Sequence, residues 1–173
     1  MGKIVEMKPQ DIFVLLKIAS LNGKSWRMAD LANELFMSQS EISKSLNRSR
    51  FAGLVDDSKR NLHTSSLVEF LSFGIKYVFP ERPGEMVRGT PTAHSALPLS
   101  NRIQSVSDVY VWQDEEGLMR GQRIIPLYPS VAKAVKVDLD LYELLALVDA
   151  IRVGKVREHQ VAIDLLKKRL LKK

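Results

Sequence analysis

Nine residues between Ser38 and Arg60 have the types and spacing to act together, and their chemistry is hydrogen bonding rather than bond making. Gln39, Ser40, Ser43, Lys44 and Asn47 recur along one side of a predicted helix. Gln and Asn amides match adenine edges through paired hydrogen bonds, Ser is adaptable, and Lys suits guanine or phosphate. Ser38, Arg48, Lys59 and Arg60 add donors and cations suited to a sugar-phosphate backbone. A polar helix face describes any solvated helix, so the distinguishing signal lies in the segments around it.

A second group, Arg88-Gly89-Thr90-Pro91-Thr92-Ala93-His94-Ser95, gathers a cation, three hydroxyls and an imidazole. One reading is a ligand or phosphate pocket, or a second contact to DNA. The other is an extended strap whose polar groups answer exposed backbone. His94 and Ser95 do not form a catalytic pair, because no nucleophile-elbow motif surrounds them and adjacent side chains rarely point at each other. His63, His94 and His159 are far apart and lack ligand-spaced companions, and the chain has no cysteine. The expectation is a binding protein, not an enzyme, with no cofactor and no metal.

The elements that must present the Gln39–Asn47 face begin upstream. Met28, Leu31, Ala32 and Leu35 fall at i, i+3, i+4 and i+7, one apolar stripe of a short helix. Phe36-Met37 is too short for anything but a turn. Ser38 stands three residues before Glu41, the spacing of a capping box, and so starts a second helix where one is needed. Ile42 and Leu46 anchor that helix to the core. Ala52-Gly53-Leu54-Val55 ends it at a glycine and runs into a β-capable segment. Asp56 to Asn61 is turn-forming, so Lys59 and Arg60 sit near the tip of a small hairpin, a wing able to touch phosphate, or of a plain surface loop.

In this pattern residues 9–63, about a third of the chain, resemble the winged-helix domains of prokaryotic transcription regulators of the MarR-like kind. The carriers are a first helix over Pro9–Leu21, then Leu31-Ala32-x-x-Leu35, Ser38-x-Ser40-x-Ile42-Ser43-x-x-Leu46 and Ala52-Gly53-Leu54-Val55. The resemblance implies a three-helix core, a recognition helix over about 39–52 in the major groove of double-stranded operator DNA, and a homodimer. Two positions depart from the family pattern: Ser49 stands where an apolar core residue is usual, and Phe51 where a polar one is. The departures leave three possibilities, a helix end that is rotated, shortened or covered.

Across 173 residues the chain is 45% hydrophobic and 27% charged, the composition of an ordinary globular protein. Its net charge of +6 favours polyanionic partners. The excess is spread, with 11 basic and 8 acidic residues through Phe79, and 15 and 12 from Pro80 onward. No run approaches a membrane span and no signal-peptide core follows Met1, so the expected setting is cytoplasmic, without membrane partners.

The fold class expected is α+β and mostly helical, in three parts. Residues 1–79 form the winged helix-turn-helix plus a following helix, started by a Ser66–Glu69 capping box. Residues 80–101, rich in Pro and Gly, form an ordered connector without regular structure over most of its length. Residues 102–173 form an accessory region for dimerisation or effector binding. Within it, Val109–Trp112 and Leu118–Ile125 read as a β-hairpin, Ser130 as the cap of a short helix over Val131–Val135, and Asp138 or Asp140 as the start of a helical hairpin. The alternative function is an adaptor or antitoxin-like module that meets a protein through residues 66–99.

Overall fold

The computed structural model describes residues 5–104 and 108–172. The described residues form an α+β fold, mostly helical, with eight α-helices and one three-stranded sheet.

Helix α1 (Pro9–Ser20) starts with proline in its first turn, where no amide is needed, and Asp11 accepts the Lys8 amide at 2.8 Å. Residues 11 to 18 are buried on every side, which makes α1 a core element rather than a surface helix. Two of those residues are charged, and both are paired. Lys17 meets Glu34 and, at 2.6 Å, Asp138, so one ammonium ties together three helices. Burial opposes its charge, yet the hydrogen bonds it donates to Asp138 and Glu34 raise its pKa above the usual lysine value.

Helix α2 (Met28–Leu35) buries Leu31, Ala32 and Leu35. The chain then turns sharply through Phe36, whose φ of 53° lies in the left-handed region. Helix α3 (Gln39–Phe51) opens with the expected capping box: Ser38 Oγ accepts the Glu41 amide at 3.1 Å, and the Glu41 carboxylate faces the Ser38 amide at 3.4 Å. Gly53, at φ 77°, reverses the chain after it. Val55 and Leu62 form a single antiparallel bridge around the 56–61 loop.

Helix α4 (Thr64–Phe73) corrects the expected start. It begins two residues before Ser66, after His63, whose side chain meets the Gly53 carbonyl rather than capping the helix, so the Ser66–Glu69 spacing is not a capping box. Gly74 separates it from the single turn α5 (Ile75–Val78).

The 80–101 segment, expected to lack regular structure over most of its length, carries the central strand of the sheet. Strand β1 (Met86–Pro91) pairs antiparallel with both β2 (Tyr110–Gln113) and β3 (Met119–Arg123). The expected hairpin between β2 and β3 is therefore wrong: they lie parallel, Tyr110 beside Gln122, and the three strands close on themselves. Glycine permits this closure. A Cβ on Gly89 would stand 2.0 Å from the Trp112 carbonyl oxygen, and one on Gly117 would stand 2.3 Å from the Gly89 carbonyl. Pro91, which has no amide to donate, sits at the strand's end.

Three helices complete the fold. Helix α6 (Val131–Ala134) is one turn; its Ser130 stands at the cap position, but the hydroxyl bonds elsewhere. Helix α7 (Leu139–Val153) is capped by Asp138, which accepts the Leu141 amide at 2.9 Å. Helix α8 (Val156–Leu170) buries Ala162, Ile163 and Leu166 against it, while Val156 at its start is exposed. Nine residues of α7 are buried within this one chain. The apolar core is continuous from Ile12 to Leu166.

One buried polar cluster locks the layers together. Asp149 on α7 accepts Thr92 Oγ1 at 2.8 Å and Trp112 Nε1 at 2.6 Å, and pairs with Arg152 at 2.9 Å. Arg152 Nε in turn donates to the Phe79 carbonyl at 2.9 Å. Every polar atom of that carboxylate is answered, as a buried charge requires.

Candidate nucleic-acid interface

Ile42 and Leu46 are buried and hold α3 against the core, which turns the opposite side outward. Gln39, Ser40, Lys44 and Asn47 are exposed there and Ser43 is half-buried, so the five expected base-reading residues share one face. Arg50 extends that face, and among the described residues neither Lys44 nor Arg50 makes an ion pair. Ser38 is exposed at the helix start, with its hydroxyl engaged by Glu41.

Helix α3 runs unbroken from Gln39 to Phe51 and includes both Ser49 and Phe51. Ser49 faces the core at 0% exposure, and Phe51 is 73% exposed at the helix end. The hydroxyls of Ser45 and Ser49 are buried without a hydrogen-bond partner among the described residues.

Arg48 is a correction. Expected to reach phosphate, it forks instead onto Asp11 of α1, with Nε and Nη2 at 2.8 and 2.6 Å from the two carboxylate oxygens. Asp11 is wholly buried, and the Arg48 side chain is 15% exposed. The side-chain bond to Asp11 raises the Arg48 pKa further, and the guanidinium is consumed in seating α3 on α1.

The 56–61 loop is folded around Asp56. Its carboxylate accepts the Asn61 side-chain amide at 2.7 Å, the Ser58 hydroxyl at 2.7 Å and the Arg60 amide at 3.1 Å, which hold the acid well below the usual carboxylate range. This places Lys59 in the left-handed region, with Nζ donating to Asn47 Oδ1 at 2.7 Å. Loop tip and helix face thus meet. Arg60 points the other way: Nη1 donates to the Trp26 carbonyl at 2.8 Å, and the guanidinium lies 4.5 Å above the Trp26 ring. Two concavities border the face. One of about 140 Å³ lies between Met28, Ser43 and Lys59. A broader one of about 610 Å³ lies between Lys8, Lys44, Arg50 and Phe51.

The C-terminal half holds the α2–α3 turn in place, a contribution that local sequence patterns did not reveal. Tyr128 stacks on Phe13 and donates its hydroxyl to Glu41 at 3.0 Å. Ser130 donates to the Leu35 carbonyl at 2.6 Å, and the Lys133 ammonium lies 4.0 Å above Phe36. Tyr128 lies between Pro126 and Pro129, and nothing near it in sequence marks its distant partner.

The Arg88–Ser95 group is spread through the fold. Thr90 donates to Asp114 at 2.9 Å, Thr92 to Asp149, and Ser95 Oγ accepts the Tyr110 amide at 2.9 Å. His94 is buried, its Nε2 2.6 Å from the Asp108 carbonyl and its ring edge-on to Tyr110. Among the described residues no three His, Asp or Glu side chains converge as metal ligands. No helix among them is long and apolar enough to cross a membrane. Compared with known proteins, the chain matches no family model, no curated protein and no solved structure.

Proposed function

We propose that the protein is a sequence-specific regulator that binds double-stranded DNA through a winged helix-turn-helix, with α3 as the recognition helix in the major groove. The observation that carries this reading is the meeting of Lys59 and Asn47: a cationic loop tip joins the polar face of a helix seated rigidly on the core. A wing beside a recognition helix has that arrangement. Gln39, Ser40, Ser43, Lys44 and Asn47 read base edges, while Ser38, Lys59 and the newly identified Arg50 meet phosphate. Arg60 supports the wing from behind. The protein is not an enzyme in this reading, and it acts in the cytoplasm, where the genome of a prokaryotic cell lies. As a two-fold dimer it places two copies of α3 about 34 Å apart on a near-palindromic site.

The test is a titration of labelled duplexes from the protein's own promoter region against a shuffled control, at two salt concentrations. The reading requires tight binding that prefers the promoter and falls steeply with salt. Equal, weak binding to both duplexes refutes it.

A second reading is favoured by exposed aromatics. Phe73 and Tyr77 are 69% and 73% exposed on α4 and α5, overhung by Lys167 and Lys76. Together with Phe51 they suit an adaptor that docks a protein partner through residues 66–99. Binding through such a surface responds little to ionic strength.

A further inference from the structure

Behind the 56–61 loop lies a cavity of about 330 Å³, within the range of small-molecule sites. Its cationic wall is Lys24, Arg60, Arg169 and Lys172, contributed by three separate stretches of chain, and no carboxylate lines it. Arg169 is held by Glu143 of α7 from outside the cavity. Among the described residues Lys24 and Lys172 have no acidic partner. The floor is apolar, with Ile18, Leu62 and the Trp26 ring. Arg169 also lies 4.0 Å from Asp140, so three of the four cations, Lys24, Arg60 and Lys172, gather around the concavity without an acidic partner among the described residues, which raises its potential and concentrates anions.

We propose that this cavity binds a small organic phosphate carrying at least two negative charges. Lysines serve phosphate as point charges and the arginine guanidinium as a planar fork. The apolar floor suits a ligand with a carbon body rather than a bare ion. Arg60 gives the site a route to α3. Its guanidinium is shared between this cavity and the cleft beside Ser43 and Lys59, and it lies over Trp26 in the wall common to both. An anion that draws Arg60 inward loosens its hold on the Trp26 carbonyl and shifts the loop that carries Lys59. The anion site stands by itself; its effect on DNA binding rests on the function proposed above.

The full chain is titrated by calorimetry and by tryptophan fluorescence with fructose 1,6-bisphosphate and with inorganic pyrophosphate, against sodium chloride of matched ionic strength. The expected result is saturable binding of the bisphosphate, tighter than pyrophosphate, with a change in fluorescence that Trp26→Phe abolishes. Lys24→Ala with Lys172→Ala is expected to weaken the bisphosphate by about tenfold or more at unchanged thermal stability. A response no larger than that to chloride, or one the double variant leaves intact, overturns the proposal. So does a double variant that loses DNA affinity in a protein that ignores the bisphosphate, because the lysines then belong to the DNA backbone interface.

Discussion

Arg48 on α3 and Asp11 on α1 form a two-pronged ion pair across 37 residues of sequence, and the carboxylate has no access to solvent. A surface pair of the same types would contribute little. Here the removal of either member strands a charge in the core. Arg48→Ala is expected to cost about 3–5 kcal/mol in urea unfolding. Arg48→Lys recovers only part of that, since an ammonium cannot reproduce the fork. A loss below about 1 kcal/mol for Arg48→Ala would show that Asp11 is solvated or neutral when alone.

Asn47 and Lys59 separate two kinds of contact under the proposed function. Asn47→Ala removes a paired donor and acceptor and is expected to cost about 1–3 kcal/mol of discrimination at one base pair. Lys59→Ala weakens all sequences alike and lowers the salt slope by about 1. Competition binding with single-base operator variants distinguishes them. If Asn47→Ala leaves base preference intact, α3 is not oriented as proposed.

Tyr128 acts on α3 through Glu41. Tyr128→Phe keeps the stack on Phe13 but removes the hydroxyl, and is expected to cost roughly 1 kcal/mol. Amide exchange provides the specific readout: protection should fall at residues 38–42 while α1 is unaffected. Uniform loosening would mean that the tyrosine only fills space.

Asp56 predicts how the 56–61 loop responds to acid. Its folded pKa lies below the unfolded value because of the bonds from Asn61 and Ser58, so its contribution is present above the ordinary aspartate value of about 3.9 and is lost as pH falls through the folded pKa. Amide shifts of Arg60 and Asn61 should therefore stay constant from neutral pH down to about 4 and move only below it. Asp56→Asn should bring the acidic pattern of shifts to neutral pH.

What local chemistry controls was legible in the sequence. The α2 stripe, the Ser38–Glu41 box, the Asp138 cap and the glycine after α3 are interactions within a few residues, and each lies where spacing places it. The misreadings arise where distant chain decides. Gly89 and Pro91 look like strand breakers, yet β1 tolerates them because Gly89 lies against Trp112 and Pro91 is terminal. Two strands joined by a short acidic turn suggest a hairpin, but β1 inserts as the partner of both. Arg48 looked available for phosphate because nothing near it in sequence hints at Asp11. Of the five expected base-reading residues, all stand on one face; of the four expected phosphate contacts, Arg48 and Arg60 are committed to partners inside the protein.

The Asp149 cluster bears on how this chain can be dismantled. Its members come from the end of the first expected segment (Phe79), the middle of the second (Thr92) and the third (Trp112, Asp149 and Arg152). A fragment ending at residue 79 would forfeit this cluster and α7, which packs against α1 as extensively as α3 does. Truncation at residue 79 is expected to uncover the side of α1 that α7 covers in the full chain, a loss that circular dichroism would read as lowered helicity.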